Sequence, residues 1–547
     1  MKQGILMTFL PECSGGVVNS TSSNNETEQI TESIRHGLDP DHPEDQLVIA
    51  NCHPHHHVNP TINAGGTERN GRRSDNRYNL IAIGAGAAGL VTAGGTGLLG
   101  GRAALIERNL LGGDCLNTGC VPSKALIRGA RAIYDARQAG QFGWRGPADL
   151  DHADFAQAME RMRQLRARIS HHDSVERFET RYGVDVHLGE ARFTSPETIS
   201  VAGQELRFTR AVIATGGRPA IPDIPGLTET EYLTSESVFN LRRLPSRLII
   251  IGGGPIGCEL GQVFQRYGSE VTILNDGPQL LSREDPQVAA VLEAQLRREG
   301  VTIHHHVRIR LAEPPGQITC QKDGREFRLS AEAILVATGR VPAIADLNLE
   351  AAGVRYNADG VLVDDRLRTS NRRIYAAGDV CSPLKLTHAA DAMARIVIRN
   401  ALFCGRRRMS QLVIPRCTYT DPEIAHVGLT RSEALTEVPD TETITVPFSE
   451  NDRAILDAEE EGLVSVHYAR RSGRLLGGTI VARHAGEMIG ELTLAITHGM
   501  KIEALAKTIH PYPTQSETLR RIGEIHELSR LTTTSRQLIR RWLAWRR

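Results

Sequence analysis

An unbroken apolar run, Tyr78-Asn79-Leu80-Ile81-Ala82-Ile83, predicts a short strand buried on both faces. It closes on Gly84-Ala85-Gly86-Ala87-Ala88-Gly89, passes into a helical stretch, and returns as Ala103-Ala104-Leu105-Ile106 ending on Glu107. The pattern restarts at Leu248-Ile249-Ile250-Ile251, with Gly252-Gly253-Gly254-Pro255-Ile256-Gly257, a helix, and the strand Val271-Thr272-Ile273-Leu274 before Asn275. Each unit later ends on a similar strand, Ala211 to Thr215-Gly216 in one and Ala333 to Thr338-Gly339 in the other. Strands alternating with helices predict an α/β fold. The repetition predicts two Rossmann-like dinucleotide-binding domains, the second inserted into the first. From about Pro415 strands are followed by long helices, as in an α+β domain. The expected boundaries are an extension over 1–76, a first domain over 77–227 resuming at 355–414, an inserted domain over 228–354, and a C-terminal domain over 415–547.

Residues 1–76 lack sustained periodicity and are rich in Ser, Asn, Thr, Gly and His, which predicts a disordered or loosely held extension. Cys52, His53, His55, His56 and His57 lie within it, but adjacent histidines on such a chain lack a preformed geometry, so no metal site is assigned. At the other end, Arg540 to Arg547 form a basic amphipathic tail. It is expected to pack on its own protein rather than bind a membrane.

Composition narrows the class. The chain has 547 residues, enough for two to four domains, and 40% of them are hydrophobic. Lys+Arg and Asp+Glu both count 64, which gives no electrostatic case for nucleic acid or an anionic membrane. Nine cysteines are too sparse for a disulfide-stapled scaffold, and a reducing, cytoplasmic setting is expected. The only long uncharged apolar window, Asn79–Gly101, is glycine-rich and carries the phosphate-loop pattern. The apolar run Gly4–Leu10 is too short for a secretory core.

The first loop needs Gly84, Gly86 and Gly89 so that the chain turns tightly, the backbone approaches a pyrophosphate, and the helix packs closely on the strand. The helix N-terminus then faces the phosphates, and Glu107 is placed to hold a ribose. Gly252, Gly254 and Gly257 repeat that logic for a second dinucleotide. Asn275 stands where an acid would select NAD and an arginine NADP, with Asp276 one position late and Arg283 further on. The choice between NADH and NADPH stays open.

Between Glu107 and the next helix lies Gly112-Gly113-Asp114-Cys115-Leu116-Asn117-Thr118-Gly119-Cys120-Val121-Pro122-Ser123-Lys124. On a regular helix Cα atoms five residues apart are about 8.7 Å apart, beyond disulfide reach, so pairing requires a break that the glycines permit. Pro122 suits the first turn of the following helix, which puts Cys120 where a thiolate is stabilised. The motif alone leaves open inert cysteines, a metal site and a redox pair. Its place directly after an FAD-type loop favours the last. Cys258, Cys320, Cys381, Cys404 and Cys417 are read as packing residues.

The run Gly113 to Lys124 closely resembles the redox-active segment of class I flavoprotein disulfide reductases, which include lipoamide dehydrogenase, glutathione reductase and mercuric reductase. The resemblance covers roughly Tyr78 to Glu527. It implies FAD and NAD(P)H as cofactors, with Cys120 the thiol against the flavin and Cys115 the thiol that attacks the acceptor. Lys124 and Glu259 match an ion pair beside the flavin, and Asp379, in Ala377-Gly378-Asp379, matches the ribityl-binding aspartate. Gly113, Thr215, Gly216 and Gly339 complete the expected cofactor contacts. The C-terminal domain would be the dimerisation domain, making a homodimer whose active sites are each completed by the partner.

One departure carries chemical weight. Lipoamide dehydrogenase and glutathione reductase place a catalytic histidine in an H-P-T-x-x-E pattern. This chain reads His510-Pro511-Tyr512-Pro513-Thr514-Gln515-Ser516-Glu517, so Tyr512 holds the histidine's position and Glu517 the glutamate's. Tyrosine, with a pKa of about 10, shuttles protons poorly at neutral pH. His510, two residues earlier, is expected to share Tyr512's face. Mercuric reductase carries tyrosine here, which favours a mercuric-reductase-like branch. Against it, no cysteine follows Cys417, whereas mercuric reductase has a C-terminal cysteine pair. The acceptor is expected to be a small molecule or metal ion; the alternatives are an organic disulfide reductase of lipoamide dehydrogenase type, or a redox-sensing flavoprotein with little turnover.

Overall fold

The computed structural model describes residues 38, 42–52, 77–146 and 153–547. Its first sheet has seven strands. Arg77–Ile83 lies parallel between Ala103–Glu107 and Gln204–Ile213, with Leu80 opposite Ala103 on one side and Arg210 on the other. Val184–Leu188 extends the parallel part, while Thr198–Val201 and Arg192–Ser195 continue it antiparallel. Leu80, Ile81, Ala82 and Ile83 are all buried, as a strand covered on both faces requires. The ten-residue strand Gln204–Ile213 is long enough to pair with Thr198–Val201 near its start and with Ile374–Ala376 at its end. That last strand arrives from beyond the inserted unit, so one hydrogen-bonded edge joins the two parts of the first domain.

The inserted unit has a four-stranded parallel sheet in the order Thr302–His304, Glu270–Leu274, Arg247–Ile251, Ala333–Val336, with a three-stranded antiparallel sheet beside it. The C-terminal unit is a five-stranded antiparallel sheet on which the helices Ala485–Thr497 and Glu517–Ser529 bury Leu492, Leu519 and Ile522. The architecture is therefore two Rossmann-like α/β domains and an α+β domain. No helix among the described residues is long and apolar enough to cross a membrane.

Two expectations are corrected. Within the extension, Pro43–Cys52 is a helix, and Leu38 and Val48 are wholly buried in the core beneath the first sheet's helices. Local composition missed it because its order comes from tertiary packing. The histidine tract 53–57 lies outside the described residues. The tail also differs: Thr532 caps a new helix, Thr533–Trp545, none of whose residues is buried, and Trp545 is 82% exposed. A basic amphipathic pattern predicts the helix but does not say which surface covers it.

Candidate active site

Strand and helix meet tightly at the first loop. Gly84 has φ +98°, and a Cβ on Gly89 would lie 1.7 Å from the Gly84 carbonyl oxygen. Glu107 ties the loop from the neighbouring strand: Ala85 N donates to its Oε2 at 2.6 Å and Asn109 N to its Oε1 at 2.9 Å. Burial pushes this carboxyl's pKa up. Gly113, at φ +57°, sits so close that a Cβ there would lie 2.6 Å from the Gly86 Cα. The cysteine segment thus rests directly on the phosphate-binding loop.

The two cysteines occupy separate helices, Gly113–Asn117 and Cys120–Gln138, with the backbone break at Thr118 and Gly119. Both are unbridged thiols. Cys120 opens the longer helix, with its Sγ 3.4 Å from the Thr387 hydroxyl. A hydrogen bond from Cys115 is the main reason the Cys120 pKa falls to about 6; Thr387 and the Lys124 charge add to it against the cost of burial. The same bond, with burial, drives the Cys115 thiol up. One sulfur keeps its proton and the other gives it up.

Lys124, one turn along, donates to Glu259 Oε2 at 2.9 Å. Glu259 is buried on the inserted domain's first helix, Pro255–Tyr267, and its Oε1 accepts from Tyr419 N at 2.8 Å. The Lys124 ammonium also lies 4.5 Å from the centre of the Tyr419 ring. On the other side Arg340 bridges Asp114 and Asp379, its Nε 3.5 Å from Asp379 Oδ2, and burial raises the Asp379 pKa. Cys115, Cys120, Lys124, Glu259, Gly86, Gly216 and Asp379 line one cavity of about 680 Å³. That is the size of a cofactor site with a few convergent polar groups. FAD fits it: Gly86 leaves room for backbone approach, Asp379 offers an acceptor, and Lys124 supplies positive charge beside the thiols.

The second loop repeats the first. A Cβ on Gly257 would lie 2.1 Å from the Gly252 oxygen, while Gly254 has open space where phosphate would approach. Asn275 is committed to its own turn, donating to Gly277 O at 3.0 Å and Gln279 O at 2.9 Å. Asp276 and Arg283 are both exposed. The Thr215 hydroxyl is likewise engaged, with Ala343 O at 2.6 Å, and Gly216 and Gly339 turn the chain at φ +68° and +125°.

The pyridine nucleotide-disulphide oxidoreductase family matches residues 78–394, and its dimerisation domain matches residues 414–522. The chain belongs to this family. It is 36% identical over 450 residues to mercuric reductase of Staphylococcus aureus, covering 82% of each chain. It is 31% identical over 446 residues to dihydrolipoyl dehydrogenase of Bacillus subtilis (strain 168), covering 80% of this chain and 96% of that one. Among solved structures it resembles the HOCl-induced flavoprotein disulfide reductase RclA from Escherichia coli, at TM-score 0.72 and 30% identity, covering 82% of this chain and 100% of that one. The chain is an FAD-dependent oxidoreductase that uses NAD(P)H.

Not every expected residue of this flavoprotein meets at the cavity. Tyr512 is 72% exposed, with its hydroxyl donating to Asp452 Oδ2 at 3.0 Å, and Glu517 lies 3.8 Å from Arg520 at the start of its helix. Neither lines the cavity of its own chain. His510 does not share Tyr512's face: its side chain is 7% exposed and pairs with Glu491 Oε2 at 2.9 Å. The segment is a loop, where the two-residue alternation of a strand does not hold. Cys258 and Cys320 are buried packing residues as expected, but Cys404 is exposed and Cys417 lines the cavity. Thr387, Arg340 and Tyr419 were missed. The only local signal was for Arg340, which directly follows Gly339.

Proposed function

We propose that this enzyme passes two electrons from NAD(P)H through Cys115 and Cys120 to a thiol-reactive acceptor, most simply a thiophilic metal ion as in mercuric reductase. The observation that carries this reading is the meeting of Cys115 and Cys120, each on its own helix, with the Lys124–Glu259 pair on one cavity against the first dinucleotide loop. Cys120, with a pKa lowered to about 6, holds a thiolate at neutral pH, while Cys115 retains a proton. When bound, FAD relays the two electrons between nicotinamide and sulfur. Lys124, held by Glu259, offsets negative charge beside the thiolate. The Arg340 bridge to Asp114 fixes the first turn of the Cys115 helix.

For a mercuric ion the balance is NAD(P)H + Hg(II) → NAD(P)⁺ + H⁺ + Hg(0), with the sulfurs as soft ligands. The dimerisation domain supports a homodimer in which Tyr512 and Glu517, remote from their own chain's cavity, complete the partner's site. The expected reducing, cytoplasmic setting would keep both thiols available. A second reading, reduction of an organic disulfide by NAD(P)H and H⁺ to two thiols, draws on the His510–Glu491 pair, a histidine oriented by a carboxylate.

NAD(P)H oxidation is measured with Hg(II) buffered by excess thiol, beside lipoamide and glutathione disulfide. Mercury-dependent turnover that Cys115→Ser abolishes is the expected result. Silence with mercury and turnover with a disulfide would transfer the assignment to the second reading. Turnover with none of them would leave a redox sensor of the same fold.

A further inference from the structure

A fully buried ion pair ties the N-terminal helix to the turn between the two cysteines. Asp45, on Pro43–Cys52, has no exposed surface, nor has Arg166 on the helix Phe155–Ser170. Arg166 Nη2 donates to Asp45 Oδ1 at 2.6 Å, and Arg163 Nε lies 3.6 Å from Asp45 Oδ2. The other arm of Arg166 reaches the redox segment: Nη1 donates to the Asn117 carbonyl at 2.8 Å. Asn117 ends the Cys115 helix, three residues before Cys120, and its buried side chain donates to Leu111 O and Gly113 O. A carbonyl at a helix end lacks an intrahelical partner, and a guanidinium fork can satisfy it while gripping a carboxylate.

We infer that Asp45 is a positioning residue: through Arg166 and the Asn117 carbonyl, the N-terminal helix holds the turn that brings Cys115 and Cys120 together at the cavity. Asp45 lies outside residues 78–394 and 414–522, which carry the family likeness. Burial works against the charge on Arg166, and Asp45 opposes that effect. Losing the carboxylate would leave a buried cation to rearrange, and the Asn117 contact is what it would give up. The inference rests on the proposed redox role of the pair.

The test uses the full-length flavoprotein. Asp45→Asn removes the charge at nearly constant shape. Arg166→Lys keeps a cation for Asp45 but replaces the fork with a single ammonium, and it decides the matter alone if Asp45→Asn does not fold. Two readouts are taken on reduced protein with full FAD content: the long-wavelength thiolate–flavin absorbance, and the pH midpoint of Cys120 alkylation by iodoacetamide. Both variants are expected to lose half or more of the absorbance and to shift the midpoint upward. Wild-type absorbance and midpoint in Arg166→Lys would overturn the inference. Absence of the band in the wild type itself would instead overturn the redox assignment on which it rests.

Discussion

Cys120 is acidic first because Cys115 donates to it, and only then because of Thr387 and Lys124. Cys115→Ala deletes the donor, so the pH at which reduced Cys120 becomes alkylatable should move upward from about 6. Iodoacetamide kinetics across pH check this: a thiol is reactive above its pKa, and an unmoved midpoint would assign the acidity to the other groups. At this scale the sequence exposed what is local. Cys115, Cys120 and Lys124 share one thirteen-residue run from Gly112, so motif and spacing reveal them together. Thr387 is 267 residues from Cys120, and Tyr419 reaches Glu259 through a backbone N–H, which no side-chain pattern encodes. The strand-end position of Asn275, where an acid or an arginine would select the nucleotide, is visible in the sequence, whereas its bonds to Gly277 and Gln279 are not.

Among the elements, the strand–glycine–helix unit positions everything else. Gly89→Ala would place a methyl against the Gly84 carbonyl at 1.7 Å, and neither partner is a flexible side chain. Such overpacking costs about 1–3 kcal/mol or more, so the variant should purify with reduced FAD and a lower melting temperature. Normal flavin content and stability would mean that the helix can shift without disturbing the loop. Both glycine units were legible because strand, loop, helix and second strand follow one another within about thirty residues. The N-terminal helix was not: its order depends on Leu38 and Val48 joining a distant core and on Asp45 meeting Arg166. A ten-residue segment without apolar periodicity carries no such information by itself.

For the whole molecule, the placement of Tyr512 and Glu517 away from their own chain's cavity bears on assembly. If each site is shared across a homodimer, mixing Cys115→Ser and Tyr512→Phe subunits restores one intact site in every mixed dimer. Random reassociation should then return about a quarter of wild-type sites from two impaired parents. Activity no greater than the parental average would rule out a site shared across the dimer. The two Rossmann-like units and the α+β domain were readable from repeated strand patterns, but the exposed C-terminal helix was not, since amphipathicity does not say which surface covers it. The central claim is that electrons pass through Cys115 and Cys120, and anaerobic titration with one equivalent of NAD(P)H tests it most directly. Starting from the oxidised protein with Cys115 and Cys120 bridged, the account predicts a long-wavelength thiolate–flavin band, two newly titratable thiols per subunit, and loss of the band in Cys120→Ser. Persistence of the band in Cys120→Ser, or reduction without new thiols, would contradict it.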